Sequence, residues 1–245
     1  ENPGKKKIEA LLSHIAAEGC GEDTPVLIYF AGHGTADESR EGIKGYLIPA
    51  DAEPGNRDTY IDMADVAAAL ASMPCRHLLL VLDCCFGGSF RWAEKTNNLT
   101  LGVNDHAFRL TKSHYDYFTQ KRAIQVLTSC APNQKALDFI RIGDHEGTNS
   151  PFATLFLSGL VHADVNQDKI ITVAELYNYL QDTLSKGAFH KNAVMNQNVG
   201  LFPMNGHENG EFLFCECGFE PQNLQSAGQE NPFRGLNSYE AGDAG

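Results

Sequence analysis

Short apolar runs alternate with helical patterns along most of this chain. Three runs are strand-sized, at Val26–Phe30, His77–Leu82 and Ala123–Thr128. Val26–Phe30 is continuously apolar and predicts a buried strand that is covered on both faces, because a half-exposed strand alternates apolar and polar residues. His77–Leu82 predicts a second buried strand, and Ala123–Thr128 predicts a third strand. Shorter runs at Tyr46–Ile48 and Glu211–Phe214 predict two further strands.

Four segments have helical patterns. Apolar residues recur at helical spacing in Lys5–Glu18, and Asp62–Ser72 is rich in alanine. Pro151–His162 and Val173–Leu184 are also predicted helices. Strands that alternate with helices predict an α/β fold, with a central, mostly parallel sheet flanked by helices on both faces.

The chain divides into a domain and a tail. We predict that residues 1–218 form one α/β domain, and that residues 219–245, rich in Gly, Asn, Gln and Ser, form a linker. Arg91–Gln120 is polar, aromatic-rich and weakly patterned, which predicts a long surface excursion with some helix.

Composition narrows the classes of function. Lys and Arg number 19 and Asp and Glu 31, so the formal net charge is −12. This balance argues against nucleic-acid and membrane partners and favours cationic partners. No apolar run approaches the roughly 18 residues of a membrane span, and no secretory leader opens the sequence.

Seven cysteines show no paired spacing, which predicts free thiols and a reducing, cytoplasmic location. They are Cys20, Cys75, Cys84, Cys85, Cys130, Cys215 and Cys217.

Two glycine-rich breaks follow predicted strands. His33 stands between two glycines after the first buried strand, and Cys85 follows the second, two residues after Asp83. Because the carboxyl ends of parallel strands meet at one sheet edge, we expect the imidazole and the thiol to face one cleft. A thiolate attacks carbonyl carbons while an imidazole transfers the proton, and we expect the N–H groups of Gly34 and Cys85 to stabilise the oxyanion.

These two breaks resemble the catalytic motifs of caspase-like cysteine peptidases, the family of caspases and metacaspases. The matching segments are Tyr29–Gly34 (YFAGHG) and Leu82–Gly88 (LDCCFGG). The family pattern is strand-x-G-H-G and then strand-D-x-C-x-x-G, which implies that His33 and Cys85, rather than Cys84, are catalytic. Residues 129–138, 150–153 and 210–214 also resemble later segments of bacterial members.

The resemblance implies a caspase-like fold and a cysteine endopeptidase that needs no cofactor. In metacaspase-like members, the Asp two residues before the nucleophile lines the pocket for the residue that precedes the cut. That position is Asp83 here. A carboxylate pairs with guanidinium or ammonium groups, so the resemblance implies cleavage of proteins or peptides after Arg or Lys.

Three features depart from the family pattern. The family's sheet begins with another strand and helix, which do not appear upstream of Lys5. Asn133 stands where relatives often have Asp, although Asp138 is a second acidic candidate for the pocket. Cys84 is a second thiol beside the nucleophile, and we expect it to pack as a small apolar residue. The alternative interpretation is therefore a catalytically silent caspase-like module for binding or signalling. A thiol-based redox or metal-binding protein fits less well.

Asp164–Glu175 resembles an EF-hand loop. Asp164, Asn166 and Asp168 stand at loop positions 1, 3 and 5, and Glu175 stands at position 12. Position 6 calls for glycine, so Lys169 would have to adopt a left-handed conformation there. Ca²⁺ is a candidate ligand of this loop, and a purely structural role for the same residues is the alternative.

The tail and the excursion each suggest a role. Asn231–Glu240 resembles the entry segment of STAND-type NTPase modules, which suggests a C-terminal sensor module or an activating protein, and an effector role in bacterial signalling or defence. Cations in residues 91–122 make self-cleavage there a hypothesis, because caspases are often cut after the nucleophile. These cations are Arg91, Lys95, Arg109, Lys112, Lys121 and Arg122.

Overall fold

A four-stranded sheet lies at the centre of the protein. The computed structural model describes residues 2–39, 42–85, 87–90, 109–130, 141–142, 145–146, 149–185 and 198–225. In this part of the chain, the sheet consists of β1 (Val26–Ala31), β5 (His77–Asp83), β6 (Ala123–Thr128) and β10 (Gly200–Pro203), in that spatial order. The first three run parallel and β10 is antiparallel to β6, which confirms a mostly parallel sheet.

Helices cover both faces of this sheet. On one face lie α1 (Lys5–His14), which continues as a π-helical turn, and α2 (Met63–Ala71). On the other face lie α4 (Pro151–His162) and α5 (Val173–Ser185). Alternate residues of β5 enter the two cores, which is why Leu78–Leu82 is apolar throughout. Another helix, α3 (Lys112–Gln120), packs against a third, smaller cluster.

Smaller antiparallel sheets complete the described structure. β2 (His33–Ser39), β3 (Gly42–Ile48) and β4 (Ile61–Asp62) form a three-stranded sheet. The sequence did not predict β2, because its residues HGTADES are mostly polar. The short pairs are β7 (Arg141–Ile142) with β8 (His145–Glu146), and β9 (Ile170–Thr172) with β11 (Leu213–Cys215).

The prediction that Val26–Phe30 is covered on both faces is wrong. Within the described residues, β1 lies at the edge of the central sheet and alternates between half-buried and exposed positions. Leu27 is 45% exposed and Tyr29 is 37% exposed. An apolar run reports the chemistry of its own side chains and cannot show whether an element covers them.

The predicted helices are confirmed, and capping residues explain where two of them begin. Asp62 accepts from the N–H of Ala64 before α2, and Ser150 accepts from that of Ala153 before α4. None of the described helices has the length and apolar character needed to cross a bilayer.

Helix α3, in the predicted excursion, contacts the first residues of the predicted tail. Lys112 N–H donates to the Gln225 carbonyl at 3.0 Å, and the Tyr115 and Phe219 rings are 5.6 Å apart. Residues 91–108 and 226–245, which include the segment that resembles the STAND entry, lie outside the described residues.

Candidate active site

The two glycine-rich breaks meet at the carboxyl ends of β1 and β5. Ala31 is in register with Asp83, and the N–H of Gly32 donates to the Asp83 carbonyl at 3.2 Å. These contacts continue the pairing of the two strands one residue beyond β1. The chain then turns away at His33 to begin β2.

Gly34 lies directly against Cys85. A Cβ built on Gly34 would stand 2.3 Å from the Cys85 carbonyl oxygen and 3.2 Å from the Cys84 sulfur. Only a residue without a side chain allows this approach. The main chain at His33 therefore runs beside the main chain at Cys85.

The residues of this junction differ in exposure. His33 is exposed and Cys85 is partly exposed, so solvent reaches both positions. Cys84 is 2% exposed, and burial raises the pKa of its thiol well above the ordinary value. Cys84 thus lies in the apolar core as a thiol that resists ionisation.

Asp83 is a buried carboxylate at the end of β5. It is 7% exposed, and its Oδ2 accepts hydrogen bonds from the hydroxyls of Tyr29, at 3.2 Å, and of Ser150. Burial, with a further contribution from the Asp83 charge, strongly raises the pKa of Tyr29. The Tyr29 hydroxyl therefore stays a donor across the physiological range.

Sequence reasoning missed Tyr29 and Ser150 as neighbours of this carboxylate. Ser150 before Pro151 is a recognisable helix start, and its hydroxyl does accept from the N–H of Ala153 at 2.9 Å. Its donation to Asp83, which is 67 residues away, had no sequence signal. Tyr29 lies on an apolar run whose pattern predicts a covered strand, so the sequence carries no signal that its hydroxyl meets a carboxylate.

The residues that follow β6 lie beside this junction of strand ends. Ser129 N–H donates to the Leu82 carbonyl at 2.9 Å, and the Cys130 thiol donates to the Cys84 carbonyl at 3.2 Å. The segment that resembles later caspase motifs thus begins next to the candidate site. Asn133 and Asp138 lie outside the described residues.

The EF-hand-like loop has the left-handed residue that its sequence predicted. Lys169 has φ of 69°. The Asp164 carboxylate accepts from the N–H groups of Asp168 and Lys169, and the Asn166 amide donates to Glu175 at 2.7 Å. Across the described ranges, no group of three or more His, Cys, Asp or Glu side chains is arranged to hold a metal ion.

Glu175 also begins a helix. Its carboxylate accepts from the N–H of Thr172 at 2.9 Å, and its own N–H donates to the Thr172 hydroxyl at 3.0 Å, which is a capping box for α5. Burial, with smaller contributions from the charges of Asp168 and Asp164, raises the pKa of Glu175 to about 7. The structural role is thus present, and calcium binding stays a prediction.

The fold and the junction of strand ends define a caspase-like α/β protein. The sequence model of the caspase domain, peptidase C14, matches residues 1–202. The chain therefore belongs to the caspase domain family.

Two solved structures match most of the chain at low sequence identity. A protein from Geobacter sulfurreducens is 14% identical with a TM-score of 0.47, and the match covers 82% of this chain and 73% of that one. Caspase-1 from Spodoptera frugiperda is 14% identical with a TM-score of 0.42, and the match covers 83% and 69% of the two chains. No curated protein matches the sequence.

Proposed function

We propose that this protein is a cysteine endopeptidase in which Cys85 is the nucleophile and His33 transfers the proton. The observation that supports it most is the contact of Gly34 with the Cys85 carbonyl. In a caspase domain, this contact brings a histidine and a cysteine from two strand ends to one solvent-accessible edge.

The chemistry has two stages. The Cys85 thiolate attacks the scissile carbonyl carbon, and the N–H groups of Gly34 and Cys85 stabilise the oxyanion that develops. His33 donates a proton to the departing amine as the thioester forms. Water then attacks the thioester carbon, His33 accepts a proton from that water, and the acid product leaves with the thiolate restored.

We extend the proposal to a preference for Arg or Lys before the cut. Asp83 is two residues from Cys85, and a largely desolvated carboxylate there attracts a guanidinium or ammonium group. Two hydroxyl donors hold one of its oxygens in place, so it needs little reorganisation to receive a cation. The net charge of −12 would also steer cationic peptides toward the protein.

We also propose that the enzyme acts as an effector in a bacterial signalling or defence pathway. Membership of the caspase family and the resemblance of Asn231–Glu240 to a STAND entry segment support this role. Expression of the inactive Cys85→Ala form in cells, as a trap that binds substrates without cleaving them, would test this role. Enrichment of cellular proteins that the wild type cleaves would support the role.

Peptide hydrolysis tests the proposed chemistry. Fluorogenic peptides that differ only in Arg, Lys or Asp before the cut should be offered to the wild type, Cys85→Ala, His33→Ala and the matched control Cys84→Ala. We expect hydrolysis after Arg and Lys by the wild type and by Cys84→Ala, with at least about 1000-fold loss in the other two. Equal background in wild type and Cys85→Ala would instead favour a silent module.

The role of Asp83 needs a separate comparison. Asp83→Asn keeps the size of the side chain but removes its charge. We expect kcat/KM for the Arg peptide to fall by about 100-fold, since a charged pair in a desolvated pocket is lost. An equal loss for an uncharged peptide would show that Asp83 supports the structure rather than the substrate preference.

A further inference from the structure

Two cysteines lie side by side far from the candidate active site. Cys20 follows the π-helical turn after α1, and Cys75 stands two residues before β5. The N–H of Arg76 donates to the Glu22 carbonyl at 2.8 Å, so a main-chain hydrogen bond joins the segments that precede β1 and β5. The Arg76 guanidinium adds an ion pair with Glu22 at 2.6 Å.

The two thiols are neighbours in the fold and differ in access to solvent. Cys20 packs against the core cluster that contains Cys75, and the Cys20 thiol donates to the Ile15 carbonyl at 3.3 Å. Cys75 is fully buried in the core, whereas Cys20 is partly exposed at its border. Burial, followed by the proximity of Cys20, raises the pKa of Cys75 to about 11. An oxidant from solvent therefore meets Cys20 first.

We propose that Cys20 and Cys75 form an intramolecular disulfide when the protein meets a hydroperoxide. The Cys20 thiolate attacks the peroxide oxygen, so that the O–O bond breaks and Cys20 becomes a sulfenic acid, with water released from hydrogen peroxide. The Cys75 sulfur then attacks the Cys20 sulfur, and hydroxide leaves and takes up the Cys75 proton as a second water. Two thiols are oxidised and one peroxide is reduced.

The disulfide would connect the segments that precede β1 and β5. The candidate site lies at the opposite, carboxyl ends of these two strands. Cys20 leads into β1 and Cys75 into β5, and His33 and Cys85 follow the opposite ends of these strands. Strands of this length hold the two regions about 20 Å apart. We therefore expect oxidation to stabilise the fold without altering the geometry at Gly34 and Cys85.

Peptide mapping of the whole chain tests this inference, and Cys85→Ser serves as the background so that the proposed nucleophile cannot react. After brief treatment with hydrogen peroxide and alkylation, non-reducing digestion should give one peptide pair, Cys20 joined to Cys75, lighter by two hydrogens. The melting temperature should rise on the order of 10 °C, because a long loop is closed, and dithiothreitol should reverse the rise.

Matched variants separate this pair from other thiols. Cys20→Ser, at a partly exposed position, should lose both the linked peptide and the thermal shift, whereas Cys215→Ser, at an exposed position, should keep both. The inference would be overturned if Cys20 and Cys75 stayed individually alkylatable while Cys215 became oxidised. Peptide mapping measures only the oxidation state of the thiols. Its result therefore does not depend on whether the protein is an active peptidase.

Discussion

The carbonyl oxygen of Cys85 faces Gly34 so closely that a methyl group at residue 34 would stand 2.3 Å from it. Gly34→Ala must therefore displace one of the two strand ends. We expect kcat/KM toward an Arg peptide to fall by more than about 100-fold, since a shift on the order of 1 Å at the reacting groups costs that much.

A second glycine provides the control for this substitution. A Cβ on Gly21 would make only an ordinary contact, 3.8 Å from the Thr24 hydroxyl. Gly21→Ala should thus keep both activity and melting temperature. Full activity of Gly34→Ala would contradict the view that the two strand ends form one site.

The hydroxyls around Asp83 should control its position. Tyr29→Phe removes one donor to the carboxylate, and a hydrogen bond to a charged group contributes about 1.5–3 kcal/mol. We expect KM for an Arg peptide to rise by about tenfold with kcat nearly unchanged. A loss confined to kcat would show that Tyr29 acts on the reacting atoms instead.

Ser150 should show a combined effect, because its hydroxyl donates to Asp83 and accepts from the N–H of Ala153. Ser150→Ala should raise KM and also lower the free energy of unfolding by about 1 kcal/mol through loss of the helix cap. Ser150→Thr retains a hydroxyl and should restore both. Failure of threonine to restore KM would separate Ser150 from the substrate pocket.

Glu211 predicts a pH-dependent stability. Its carboxylate accepts from the Ala174 N–H and the Gln125 amide, both at 3.1 Å, and burial raises its pKa to about 7. In the unfolded chain the pKa of Glu211 is near its ordinary value of 4.5, so folding is favoured at low pH, where the carboxyl is protonated. This stability is lost as pH rises from about 4.5 through 7, by about 3 kcal/mol.

Comparison with Glu211→Gln isolates this effect. Burial lowers the pKa of His207 to about 4, so His207 opposes the trend over much of the same range. The difference between the urea-unfolding free energies of variant and wild type removes the His207 contribution. That difference should change by about 3 kcal/mol between pH 4.5 and 7, and a constant difference would contradict a raised pKa at Glu211.

The EF-hand-like loop makes calcium binding measurable. Glu175 has a raised pKa, so a divalent cation at its carboxylate should displace protons and stabilise the fold. We expect millimolar Ca²⁺ to raise the melting temperature by about 5 °C, with a smaller rise in Mg²⁺ and none in Asp164→Asn. An identical melting temperature with and without Ca²⁺ would leave the loop with its capping role alone.

The contacts of the excursion restrict where self-cleavage is expected. Four of the candidate cations lie in or beside regular structure or hydrogen-bond to it: Arg109, Lys112, Lys121 and Arg122. Arg109 donates to the carbonyls of Asn166 and Gln167 at 3.1 and 3.0 Å. Peptidases cut extended, accessible segments, so we expect no cleavage after these four cations, which leaves Arg91 and Lys95 of the six candidates.

Mass spectrometry of the purified wild type and of Cys85→Ala checks this expectation. Fragments should occur in the wild type alone and end at Arg91 or Lys95. The same fragments in both proteins would mean that another peptidase made them.

The sequence was most informative where periodicity and local chemistry coincide. The helix at Pro151–His162 and the strand at Ala123–Thr128 were predicted with the bounds that they have. Capping residues and apolar runs act over a few neighbours, so they leave a local signal. The caspase motifs around His33 and Cys85 were equally evident, because their glycines and reactive side chains are contiguous.

Contacts between distant segments were decided by the tertiary structure alone. The edge position of β1, the approach of Gly34 to Cys85, and the donation from Ser150 to Asp83 depend on which elements become neighbours. A side chain specifies its own polarity and shape, but the partner that satisfies it is selected only when the whole sheet and its helices pack together. The sequence thus determined the reactive groups and the local elements, and packing determined which of them meet.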